Sequence, residues 1–146
     1  MARKTRRMAR ETRGPARTFA LVLGTAYLGV ALLEVLVGRW TAGGAVLLDH
    51  EPVHNTIHWL TAAALLTAAF VRESAARPIL LGVGTVFALV SLMGVFARGT
   101  TGELLGYGHA IPWVYNWIHI ATAAGALYFG WPTHARTGMP SATRTA

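Results

Sequence analysis

Residues 18–38 read TFALVLGTAYLGVALLEVLVG, and Glu34 is the one charged residue among them. A bilayer core about 30 Å thick takes about 20 predominantly apolar residues per helical span. The stretch therefore predicts a transmembrane helix. Three further blocks of the same character follow at 52–71, 79–97 and 112–131. The fold expected is an all-α membrane protein, a four-helix transmembrane bundle, with tails at 1–17 and 132–146.

A chain of 146 residues could also make one compact soluble domain. Its composition argues against this. Hydrophobic residues make up 53% and charged residues 13%, the latter about half the share usual in soluble domains. Such a chain lacks the polar residues to cover a water-facing surface.

Lys and Arg number 13 against 6 acidic residues, an excess that in a soluble protein would suggest nucleic acid. The positions point to topology instead, and no nucleic-acid partner is expected. Arg3, Lys4, Arg6, Arg7, Arg10, Arg13 and Arg17 precede the first span, Arg72 and Arg77 lie between the second and third, and Arg136 and Arg144 follow the fourth. Arg39 and Arg98 alone fall on the opposite side. The positive-inside rule then puts both termini and the middle loop in the cytoplasm, in a multi-pass protein of the plasma membrane. The basic N-terminus could also hold anionic lipid. It is not the start of a cleaved signal peptide, because the apolar run is too long and has a counterpart in the third span. With no Cys in the chain, disulfide and thiol chemistry are absent.

Both tails are polar and rich in Arg, Thr, Pro and Gly, and they are expected to be poorly ordered. Residues 72–78 form a short cytoplasmic connection in which Pro78 is placed to open the third helix. The two outer loops carry Val46, Leu47 and Leu48, and Leu104 and Leu105. These apolar residues predict loops folded back onto the bundle or the membrane surface. Trp40, Trp59, Trp113, Trp117 and Trp131 lie near span ends and read as interfacial anchors.

An internal repeat runs through the chain. Asn55-Thr56-Ile57-His58-Trp59-Leu60-Thr61-Ala62-Ala63 matches Asn116-Trp117-Ile118-His119-Ile120-Ala121-Thr122-Ala123-Ala124 at six of nine positions. Gly24-Thr25 corresponds to Gly84-Thr85, and His50 with Pro52 to His109 with Pro112. Two tandem two-helix repeats keep the same orientation, so a pseudo-twofold axis along the membrane normal should relate them.

The segment from Leu48 to Thr61, with its HNxxH of His54, Asn55 and His58, together with the NWIH of Asn116 to His119, resembles the signature of a family of small four-span bacterial membrane proteins of unknown function, frequent in actinobacteria. The resemblance covers the chain apart from its tails. It implies the four-span fold and brings no established activity. This chain departs from the pattern at His109-Ala110-Ile111-Pro112, which precedes the second motif.

Ionisable residues inside spans are costly and raise the question of function. Glu34 lies about one turn from the outer end of the first span, and His58 and His119 about two turns below Pro52 and Pro112. Asn55 and Asn116 precede their histidines at the i, i+3 spacing that shares a helix face. Small residues continue these faces: Gly24, Tyr27, Ala31, Glu34 and Gly38 in the first span, Asn55, His58, Ala62 and Ala69 in the second, Gly84, Ala88, Ser91 and Gly94 in the third, and Asn116, His119, Ala123, Ala126 and Gly130 in the fourth. Small residues mark helix contact faces in membranes. The cluster Glu34, Asn55, His58, Asn116 and His119 is therefore expected inside the bundle.

The plainest role for these groups is to fasten helices by hydrogen bonds. Glu34 has Gly94 in its place in the other repeat, and would stay neutral or pair with a histidine. The main alternative is a redox or sensor protein in which His58 and His119 bind haem or a divalent metal, with His54 adding a ligand from the same helix. Against it, Tyr115 stands where His54 would be in the second repeat, and no haem-attachment CxxCH occurs. A proton path through Glu34 and the histidines would stop halfway, since the inner halves of the spans are apolar. Asp49, His50, Glu51, His54 and His109 could hold a divalent ion at the surface. No nucleophile triad, Walker or dinucleotide motif supports an enzyme. The expectation is a structural or accessory membrane component without a resident cofactor, acting by contacts with lipid and with itself or another membrane protein.

Overall fold

The structure, a computed structural model, describes residues 14–42, 45–48 and 50–132, with the side chains of 45–48 left aside. The basic N-terminal run and the C-terminal tail lie outside the described residues, as does Asp49. Among the described residues the regular elements are helices and one short hairpin. Its elements are α1 (Pro15–Val37), β1 (Trp40–Ala42), β2 (Ala45–Leu48), α2 (Pro52–Phe70), α3 (Glu73–Phe96), α4 (Arg98–Leu104) and α5 (Trp113–Gly130).

Proline starts two of the helices. Pro15 and Pro52 sit in the first turns of α1 and α2, where the missing N–H would have had no intrahelical partner. Gly38 ends α1 with φ 72°, its N–H donating to the Glu34 carbonyl at 3.0 Å. A side chain at that φ would be strained, so glycine is the residue that can stop the helix there. The chain then turns through β1 and β2, which pair antiparallel with Trp40 opposite Leu48 and Thr41 opposite Val46. That register leaves Leu47 as a bulge.

Helix α1 lies along α2, and α3 lies along α5; smaller contacts join α2 to α3 and α1 to α3. The core between them is built from small residues: Ala16, Ala20, Ala62, Ala68, Ala69, Ala76 and Ala126 are buried, with Leu65, Leu80, Tyr27 and Phe87 filling the gaps. A Cβ added at Gly24 would touch Leu65 and Leu66, and one at Gly84 would touch Leu127. Backbones approach at these two crossings because side chains are missing.

Two helix starts differ from expectation. Helix α1 begins at Pro15 rather than Thr18, with Ala16 buried and the Arg17 Nε donating to the Ala69 carbonyl at 3.2 Å. Helix α3 begins at Glu73, and Pro78 lies inside it rather than opening it. The reason is Glu73, whose carboxylate accepts from the Ala16 and Arg17 N–H groups at 2.9 and 3.2 Å. It thereby satisfies orphan donors at the start of α1 from the first turn of α3. Pro78 costs α3 one ladder hydrogen bond, on an exposed position.

The segment between α3 and α5 folds back onto the helices. It forms α4, after which Gly106 and Gly108 take positive φ and return the chain so that Leu105, Tyr107 and Ile111 are buried, although Leu104 is exposed. The Arg98 guanidinium closes the loop: Nε and Nη2 donate to the Ile111 carbonyl at 3.1 and 2.8 Å, and it stacks 4.6 Å from the Trp113 ring.

The outer faces of the long helices are apolar. Val22 and Leu36 on α1, Phe70 on α2, Phe96 on α3 and Ile118 on α5 are among the exposed side chains, Phe96 at 84%. Helices α1 and α3 are long and apolar enough to cross a membrane.

Candidate polar site inside the helices

The inward faces of α2 and α5 carry their asparagines and histidines. His54, Asn55, His58 and Thr61 are buried on α2, as are Tyr115, Asn116, His119 and Thr122 on α5. On α1 the helical period brings Glu34 to the same side as Ala31 and Tyr27, and it is only 2% exposed.

Glu34 is the centre of the group. Its Oε2 accepts from Asn55 Nδ2 at 2.8 Å and lies 3.2 Å from His58 Nδ1. Asn55 Nδ2 also donates to the Ala31 carbonyl at 3.0 Å, and its Oδ1 accepts from Trp59 Nε1 at 2.9 Å. Every polar atom of Asn55 is thus engaged. Glu34 is in contact with a histidine, His58.

His54 is brought in from one turn before His58, with the two rings 4.1 Å apart. Tyr107, from the segment between α4 and α5, lies with its hydroxyl 2.5 Å from His54 Nδ1. His54 Nε2 has no hydrogen-bond partner among the described residues. His54 therefore belongs to the interior and not to a surface ion site with His50 and His109, which are exposed.

The corresponding groups on α5 have different surroundings. Asn116 is 1% exposed, and neither Nδ2 nor Oδ1 has a partner among the described residues. It packs against Gly94, where an added Cβ would run into Oδ1. His119 packs its ring 5.4 Å from Phe87 and 6.2 Å from His54, with Nδ1 unpartnered among the described residues. Glu34, Asn55 and His58 are therefore bonded together, whereas Asn116 and His119 are buried nearby without joining that network.

Three participants escaped the sequence reading as site residues. Tyr27 joins its hydroxyl to Thr122 Oγ1 at 2.8 Å, linking α1 to α5. Tyr107 orients His54, which only the folding of its loop could reveal. Tyr115 stacks 5.9 Å from His54; its correspondence to His54 in the repeat was the available signal.

Two cavities flank the histidines. One of about 190 Å³ is lined by Tyr27, Glu34, His54, His58, His119 and Thr122, among others. The other, of about 170 Å³, meets the same three histidines beside Thr61, Phe87 and Leu105. One ligand atom each from Glu34, His54 and His58 lie within 4.8 Å of one another. His119, expected with His54 and His58 as a metal ligand, stands outside that group. As partners for one haem, His58 and His119 would need a flat slot between them, whereas His54 and Phe87 pack against the His119 ring.

The fold and site together define a helical protein with two helices able to cross a membrane and a buried carboxylate, amide and imidazole network. Residues 17–132 match the model of a family described as a domain of unknown function, DUF4383, and the chain belongs to that family. No curated protein and no solved structure matches it.

Proposed function

We propose that the protein is a four-span integral membrane protein, with α1, α2, α3 and α5 as the spans, that acts as a structural or accessory component through contacts with itself or another membrane protein. The observation that carries this reading is the inversion of polarity: apolar side chains predominate on the outer faces of all four long helices, broken by isolated threonines, while Glu34, Asn55 and His58 are bonded to one another inside. A soluble protein of this size does not expose so much contiguous apolar surface. Lipid is the solvent that suits it.

Helices α2 and α5 carry asparagines, histidines and buried threonines on their inward faces. Apart from Thr56 and Thr67, their outward faces are apolar. At 18 residues α5 is about 27 Å long, enough for a hydrocarbon core with slight local thinning. The tandem-repeat reading is supported by burial that recurs in register. Ala16, Ala20, Gly24, Tyr27, Ala31 and Glu34 are buried on α1, and Ala76, Leu80, Gly84, Phe87, Ser91 and Gly94 on α3.

The orientation with both termini cytoplasmic, in the plasma membrane, follows from the basic residues. Arg17 and Arg77 sit at one end of the molecule, bonded to the ends of α2 and α5, and Arg98 sits at the α4 end. Fractionation of cells expressing the full chain tests the membrane reading. The protein should stay in the membrane pellet through alkaline carbonate and enter solution only with detergent. Release by carbonate would refute it.

A further inference from the structure

Glu34, His54 and His58 have the composition of a three-ligand metal site, and their donor atoms already cluster within 4.8 Å. We propose that these three residues hold one divalent first-row transition ion, with Zn²⁺ the best match, and that its fourth position opens to the adjoining cavity of about 190 Å³. This stands on the buried geometry and does not depend on the four-span reading.

Ligand distances of about 2.0–2.2 Å in a four-coordinate site put the ligand atoms about 3.2–3.6 Å from one another. His58 Nδ1 and Glu34 Oε2 are 3.2 Å apart. An ion between them replaces their mutual contact, and ligation requires both donor atoms free of protons. Donor atoms that now lie within 4.8 Å of one another have to close by at most about 1.6 Å to complete the set.

The surroundings are those of a ligated imidazole. Metal-bound histidines hold their second ring nitrogen in a hydrogen bond, which fixes tautomer and ring orientation. His54 Nδ1 is held by the Tyr107 hydroxyl at 2.5 Å, and Nε2, on a residue 4% exposed, has no other partner among the described residues. The Glu34 carboxylate is oriented by Asn55 Nδ2 at 2.8 Å. Among the described residues no Arg or Lys pairs with Glu34, so a bound ion would be the fixed cation beside this buried carboxyl group. Two imidazole donors and one carboxylate suit zinc and its neighbours, whereas Ca²⁺ and Mg²⁺ require oxygen ligands.

Binding is measured on the full chain, without a polyhistidine tag, purified in mild detergent, stripped with chelator and titrated with Zn²⁺ alone and Co²⁺ alone. One equivalent should bind, with Co²⁺ giving the strong visible bands of a four-coordinate ion that Zn²⁺ then abolishes. Glu34→Gln, His54→Gln and His58→Gln should each weaken Zn²⁺ binding about 100-fold or more, and Tyr107→Phe, which leaves all three ligands in place, about 10-fold. The exposed pair His50→Gln with His109→Gln should leave affinity unchanged. If a ligand variant fails to fold, Tyr107→Phe and the surface pair still decide. A wild-type chain that binds no ion, a Tyr107→Phe chain that binds as tightly as wild type, or loss of binding in the surface pair would each overturn the proposal.

Discussion

Gly94 faces Asn116 so closely that a Cβ on the glycine would run into the amide oxygen. On the other pair of helices the corresponding place is held by Glu34, and there the amide of Asn55 donates to the carboxylate. Two positions that correspond in sequence thus differ, with a consequence for each asparagine. Asn55 gains a partner, and Asn116 has none among the described residues.

Gly94→Ala should therefore destabilise the protein by about 1–3 kcal/mol, the usual cost of overpacking a filled interior. Gly82→Ala is the control, since nothing lies within 4 Å of a Cβ there and the position is exposed. Thermal aggregation in detergent compares them. Equal midpoints would mean that Asn116 can move aside, and that the contact with Gly94 fixes nothing.

The buried stripe of α5 makes a second comparison. Ala123 is buried and Ala121 exposed on the same turn of helix. Ala123→Leu should lower the aggregation temperature, and Ala121→Leu should leave it near wild type, because overpacking is felt only at a helix contact. Equal effects of the two would show that α5 presents a different face to α3.

Orientation is open to chemical labelling, since the chain has no native Cys. Glu103 and Ser74 are both exposed, the first in α4 and the second in the first turn of α3. In intact cells an impermeant thiol reagent should label Glu103→Cys and spare Ser74→Cys. The opposite result would invert the topology and place the histidines near the cytoplasmic side.

What could be read in the sequence was whatever depends on helical period. The spacing of Gly24, Tyr27, Ala31 and Glu34 names the inward face of α1, and the Asn-x-x-His pairs name those of α2 and α5. Pairing of Glu34 with a histidine was foreseen as one of two states. What could not be read depends on contacts between distant segments. Glu73 draws the start of α3 forward because its carboxylate meets the N–H groups of Ala16 and Arg17, 57 and 56 residues away. Tyr107 reaches His54 across 53 residues, through a loop whose return rests on Arg98 and two glycines with positive φ. The hairpin of β1 and β2 was likewise hidden, because Trp40–Leu48 carries no alternating pattern that marks a strand.

The last prediction separates what His58 does for the fold from what it does for a ligand. In metal-free protein, His58→Gln keeps a donor in reach of the Glu34 carboxylate, so its thermal stability should stay close to wild type. His58→Leu leaves that buried carboxylate with Asn55 and no imidazole, which should cost about 1–3 kcal/mol. The order wild type, Gln, then a clearly lower Leu is the mark of a fastener, and it can hold even though both variants lose Zn²⁺. None of the three proteins should show absorption in the haem Soret region, because His54 and Phe87 crowd the ring that would have to serve as the second axial ligand. A Soret band in wild-type protein that vanishes in His58→Gln would restore the haem reading. Equal stability of the Gln and Leu variants would mean that the 3.2 Å contact between His58 and Glu34 holds no helices together.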